Sequence, residues 1–138
     1  MDKKERWIYQ YPVMKKYLKN KMVGWSMDKF YSLYGYKHVA YYAITEFTEL
    51  ALLENRCNKN SCIDIKVYDT FYHKDDGKYM DYKVEGMEKL FEDYIENRVD
   101  LIVVCSLIHE NEIIDDLINI GIPLEKIVSI ASILYSVV

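Results

Sequence analysis

The turn at residues 31–40, Tyr-Ser-Leu-Tyr-Gly-Tyr-Lys-His-Val-Ala, carries the residue types best suited to holding a ligand. It reads as a short apolar strand that breaks at Gly35 and runs into an amphipathic helix. A dinucleotide-binding βαβ unit begins this way, with phosphate held in the turn. The G-x-G-x-x-G/A positions fall on Gly35, Lys37 and Ala40, so the first glycine is kept, the last is the allowed alanine and the middle one is lysine. Gly35 permits the tight turn, and the free N–H groups of the following helix, with its dipole, favour an anion. Lys37 reads in opposite ways. Its side chain blocks close backbone approach of a diphosphate, yet its ammonium suits a single phosphate or carboxylate. A third reading is a solvated lysine at a helix start.

In a sheet of this kind ligands sit beyond the carboxyl ends of the strands, where strand order reverses. The expected walls are Gly35, Tyr36, Lys37 and His38, then Asp69 and Thr70, then the stretch from Ser106 to His109. Asp69 stands where an acidic residue takes a ribose hydroxyl pair, though a strand-end aspartate also serves plain turns. His38 and His109 are expected to approach each other across the crevice, and a histidine near neutrality suits acid–base chemistry. Neither has a visible nucleophile or orienting partner, and Ser106 equally suits a helix cap. Paired carboxylates, a P-loop, HExxH and a nucleophile elbow are absent from the sequence, so no catalytic residue and no cofactor is assigned. Cys57 and Cys62 have a four-residue gap and no partnering Cys/His pair, which argues against zinc; Cys105, in an apolar strand, reads as a core thiol.

The elements that must position these residues follow from periodicity. A strand is expected at 29–34 and a helix after Gly35, where Val39, Ala40, Ala43, Ile44, Phe47, Leu50 and Ala51 recur at three- and four-residue steps. Alternation predicts a second strand that starts at 63 and finishes at 68–70, a loop at 73–82 and a very short strand at 82–84. A helix follows around 87–95, then a nearly continuous apolar strand at 99–106, buried on both faces and hence parallel and central. A further helix carries Ile113, Ile114, Leu117 and Ile118, and Gly121 and Pro123 stop it. A last strand at 126–130 and an apolar tail to Val138 complete the chain. The alternation predicts an α/β fold, a three-layer Rossmann-like doubly wound parallel sheet of order about 3-2-1-4-5. Residues 1–26 form an N-terminal basic helical extension, with helix at 3–22 interrupted at Pro12, and 27–138 the Rossmann-like domain.

Length and composition set the class. The chain has 138 residues, 51% hydrophobic and 29% charged, which describes one globular domain rather than a disordered segment. No apolar run reaches the ~20 residues of a membrane span, and the N-terminus lacks the apolar core of a secretory signal, so a cytoplasmic location is expected. Net charge is −4, unevenly spread. Residues 1–24 carry seven Lys/Arg against Asp2 and Glu5, a local +5, and the rest carry −9. A basic amphipathic segment attracts anionic lipid or nucleic acid. Docking on its own acidic body or on a second subunit is the preferred reading, because the overall acidity opposes polyanion binding.

Several segments in order are similar to a known group: a basic N-terminal helix, Tyr34-Gly35 followed by Ala40, a strand ending at Asp69, then Asp-Leu-Ile-Val-Val at 100–104, Glu-Ile-Ile at 112–114 and Lys-Ile-Val-Ser-Ile at 126–130. Together they resemble the small Rossmann-like domains of bacterial cell-surface polysaccharide biosynthesis. In relatives with an intact glycine turn the loop is expected to hold a nucleotide or nucleotide-sugar, and Lys37 departs from that pattern. The resemblance implies a non-catalytic or accessory domain binding a nucleotide-type or small anionic ligand. The alternatives are a homo-oligomer or interaction module working through the N-terminal helices, and an enzyme dependent on NAD(P) or S-adenosylmethionine. No nucleic-acid partner is expected.

Overall fold

The least polar runs become the middle of a sheet, because a strand without a polar face must be covered on both sides. β1 (His38–Tyr42) and β5 (Leu101–Val104) are those runs, and they pair in parallel. β2 (Asp64–Tyr68) lies on the other side of β1, with β4 (Tyr82–Glu85) parallel beside it, and β6 (Ile127–Ser129) runs parallel to β5. β3 (Lys78–Tyr79) joins β4 antiparallel through a hairpin at Met80 and Asp81, whose positive φ angles of 49° and 70° match the twist of the strands. The order is β3-β4-β2-β1-β5-β6, a mostly parallel sheet whose two edges are strands of two and three residues. The computed structural model describes residues 2–137; Met1 and Val138, the outer limits of the two expected segments, lie outside the described residues.

Helices cover both faces, and the strands supply each face alternately. Val39, Tyr41, Ile65, Val67, Leu101 and Val103 point to one side. There they meet α1 (Lys3–Met22), α2 (Met27–Tyr34), α3 (Glu46–Cys57) and α6 (Ile130–Tyr135). Ala40, Tyr42, Tyr68, Ile102 and Val104 point to the other, against α4 (Met87–Ile95) and α5 (Glu110–Asn119). The basic N-terminal segment is one helix that continues through Pro12. Its Val13 and Tyr17 enter the same core as β1, and the buried Asn20 amide donates to the Leu134 carbonyl oxygen at 2.9 Å. Among the described residues no helix is long and apolar enough to cross a membrane.

The expected first strand is overturned. Residues 29–34 belong to α2 and not to a strand. The Ser26 hydroxyl caps the helix by accepting the Lys29 N–H, and Gly35, at φ 76°, closes it in the left-handed conformation that favours glycine. The first strand is instead 38–42, so Val39 and Ala40 are sheet residues and the helix that follows starts at Glu46. The 110–119 helix lies within the expected segment, while the apolar tail folds as α6.

Candidate functional site

Correcting the first strand moves the site. Gly35, Tyr36, Lys37 and His38 lie at the amino end of β1, about 13 Å of strand or more from the carboxyl ends. There the Lys37 and His38 N–H groups donate to the Asp100 carboxylate, each at 3.1 Å, and His38 Nδ1 lies 3.1 Å from Asp64 Oδ2. His38 and His109 therefore do not approach each other. The structure does bring Asp69, Ser106 and His109 to one crevice at the carboxyl ends of β2 and β5, on either side of the turn that leaves β1, while Thr70 lines an adjoining hollow.

That turn is residues 43–48, Ala-Ile-Thr-Glu-Phe-Thr, and it was not singled out from sequence. Its spacing, Ala43-x-Thr45-x-x-Thr48, is the spacing at which dinucleotide-binding turns place glycine. Ala43 keeps the glycine conformation, with φ 79°. The two threonines do what no glycine can, and close the turn on itself. Thr48 Oγ1, fully buried, donates to the Ala43 carbonyl oxygen at 2.5 Å and accepts the Thr45 N–H at 3.1 Å. Thr45 Oγ1 accepts the Phe47 N–H at 3.2 Å and donates to the Cys105 carbonyl oxygen at 2.9 Å.

Asp69 completes the closure. Its Oδ2 accepts the Ile44 N–H and its Oδ1 the Phe71 N–H, both at 2.9 Å. Both carboxylate oxygens thus hold the loops after β1 and β2. Ser106, nearly buried, accepts the His109 N–H at 3.1 Å as an ordinary turn hydroxyl before α5. Thr70 Oγ1 lies 2.7 Å from the Tyr42 hydroxyl and accepts the Met87 N–H at 3.3 Å. Burial pushes the Tyr42 phenol above its ordinary value, against the opposing hydrogen bond of Thr70, so it stays a neutral hydroxyl.

Between these loops is a crevice of about 440 Å³, floored by Ala43, Ile44 and Thr45 and walled by Phe71, Met87 and Ile113. Asp69, Glu112 and Asp116 give it negative charge. A second hollow of about 390 Å³ continues past Thr45 and Ser106, where Arg6 of α1 faces a wall that includes Glu46 and Glu49. No family model, curated protein or solved structure matches the chain.

The chemistry of the crevice follows from its donors and charges. Where a diphosphate would take N–H groups from the start of α3, the Ile44, Thr45 and Phe47 donors already have partners. The first turn of that helix carries Glu46 and Glu49, which already satisfy its dipole. The site offers a ligand apolar side chains with a few hydroxyl, imidazole and carboxylate groups, the usual make-up of a small-molecule pocket. Among the described residues no cluster of three or more His, Cys, Asp or Glu side chains is arranged to hold a metal. His109 Nδ1 lies 3.7 Å from Glu112 Oε2 one helical turn away, with both side chains in solvent.

The residues not expected at the site are Tyr42, Ala43, Ile44, Thr45, Thr48, Phe71, Met87, Glu112, Ile113 and Asp116. The signal that could have found those of the 43–48 turn was the Ala-x-Thr-x-x-Thr spacing directly behind the buried run at 39–42.

Proposed function

We propose that the chain is a Rossmann-like domain that binds a small phosphate-free ligand in the crevice between the carboxyl ends of β1 and β5. The ligand is neutral or cationic, with a planar or apolar body bearing hydroxyl or amine groups, a nucleoside in type. The observation that carries this reading is the closed turn at 43–48. Its Ile44, Thr45 and Phe47 N–H groups are taken by Asp69, Thr48 and Thr45, and the surrounding carboxylates oppose a diphosphate. Ile44, Phe71, Met87 and Ile113 suit an aromatic body, and the Tyr42 hydroxyl with Asp116 suits its polar groups. Binding rather than catalysis is proposed because His109 and Ser106 form no nucleophile–base pair. The setting in polysaccharide biosynthesis rests on the sequence resemblance.

A thermal-shift panel tests the reading. It should contain free nucleosides, amino sugars and S-adenosylmethionine, set against nicotinamide cofactors and nucleotide-sugars. Stabilisation is expected from the phosphate-free group and not from the diphosphates, and it should be lost in Ile113→Trp, which fills the crevice. Stabilisation by nucleotide-sugars, or by nothing in the panel, would overturn the proposal.

A further inference from the structure

We propose that the outer face of α1 is a docking surface for an anionic membrane. The helix has two apolar faces, and its own fold uses only one. Val13, Tyr17 and Asn20 are buried against the body. About a third of a turn away lie Trp7, Tyr11, Leu18 and Met22, spaced by four, seven and four residues and therefore on one side of the helix. They are 53%, 50%, 56% and 86% exposed, and the Trp7 and Tyr11 rings pack against each other with centroids 5.7 Å apart. Ile8, next to the stripe, is also exposed. Twenty residues of helix give it a length of about 30 Å, enough to lie along a surface.

The charges around the stripe decide what covers it. Helical spacing puts Lys4 and Lys15 at the edge of the stripe, with Lys19 beyond them and Lys3 on the opposite border. Among the described residues these four form no ion pair and no side-chain hydrogen bond. Lys21 is committed to Glu54 at 2.7 Å and Lys16 to the Val137 carbonyl oxygen at 3.0 Å. The helix carries seven Lys/Arg and one glutamate, whereas α5, on the far side of the sheet, carries four carboxylates and no basic residue. A negative surface meeting α1 therefore meets the positive side of the molecule.

An apolar stripe with Trp and Leu between rows of lysine is the pattern of a helix lying in a membrane interface, with lysine stems reaching to the headgroups. A second copy fits less well, because symmetric α1–α1 pairing would set these lysines against one another. Nucleic acid would pair the lysines but leave the apolar stripe without a role.

Sedimentation of the full chain with vesicles tests the assignment. One set is phosphatidylcholine alone and the other contains about a third phosphatidylserine. Partition into the phosphatidylserine vesicles only is expected, weakening as salt rises. In a Trp25→Phe background, Trp7 emission should shift to the blue on binding. Leu18→Glu should abolish partition with the far-ultraviolet circular dichroism unchanged. Replacing Lys4, Lys15 and Lys19 by glutamine should weaken it about fivefold each, roughly 100-fold together. Failure of the native protein to favour the anionic vesicles would overturn the proposal. So would a dimer in light scattering that Leu18→Glu splits, or binding to duplex DNA that Leu18→Glu leaves unchanged.

Discussion

Thr48 is tied to Ala43: its hydroxyl donates to the Ala43 carbonyl oxygen at 2.5 Å, binding the first turn of α3 to the end of β1. The same oxygen accepts the Thr45 N–H, so one side chain satisfies the backbone on both sides of the turn. A ligand there would compete with the fold's own hydrogen bonds. That competition is the physical basis for assigning the crevice a phosphate-free occupant.

Thr48→Val keeps the shape and removes both bonds, leaving a buried carbonyl and an N–H short of partners. A loss of about 1–3 kcal/mol is expected in urea denaturation. A change below a few tenths of a kcal/mol would show that the turn does not depend on this hydroxyl.

Ala43→Gly should act in the opposite direction. The left-handed conformation at φ 79° costs an L residue about 1–2 kcal/mol that glycine avoids, partly offset by the freer unfolded chain. A net gain of about 0.5–1 kcal/mol is expected, read as a higher melting temperature. A lower one would mean that the alanine methyl contributes more to packing than the backbone conformation costs.

The sheet was legible in the sequence where strands alternate or run continuously apolar, as at 64–68 and 101–104. The first strand was misplaced for a physical reason. A five-residue buried strand has no period of its own, and Val39 and Ala40 happen to continue the three- and four-residue steps of α3. The aromatic, strand-favouring residues of 29–34 then drew the strand upstream. Yet Ser26 and Gly35 bracket that segment as N-cap and C-cap, a pairing that tertiary packing of Met27 and Tyr31 turned into a helix. The placement of Asp69, Thr70 and Ser106 just past the ends of β2 and β5 was legible because a strand's carboxyl end marks them whatever precedes it. The closed turn was not, because threonine in place of glycine hides the spacing.

Asp93 carries a pH dependence. It is 4% exposed, accepts hydrogen bonds from the Tyr68 hydroxyl and from Arg98 Nε, the latter at 2.8 Å, and lies near Lys89. Burial pushes its carboxyl up, but Tyr68, Arg98 and Lys89 together hold it below the ordinary carboxylate value. A depressed folded value means a contribution present above the unfolded value of about 4 and lost as pH falls through the folded one. Asp93→Asn should therefore be destabilised by about 1–3 kcal/mol at pH 7. The gap to the native protein should narrow in urea titrations below about pH 4; a gap constant from pH 7 to 3 would refute the assignment.

At alkaline pH the buried end of the core takes over. Burial pushes the Cys105 thiol up to about 12. Tyr31 and Tyr41, whose hydroxyls lie 2.6 Å apart, are held well above the ordinary phenol value, first by burial. Raised folded values give stability that is complete below the unfolded values and lost as pH rises through the folded ones. Stability should fall between about pH 9 and 11, with Cys105→Ala flattening the slope by roughly 1.4 kcal/mol per pH unit. A thiol reagent at pH 7.5 should find the exposed Cys57 and Cys62 in the native protein and Cys105 only after unfolding.

The two- and three-residue strands at the margins of the sheet limit how this chain can assemble. An unpaired strand recruits another chain through a long row of free backbone groups, and β3 and β6 offer almost none. Strand addition, and the fibre growth that follows from it, is thereby discouraged on both sides. Whatever large partner the molecule meets must be engaged through side chains.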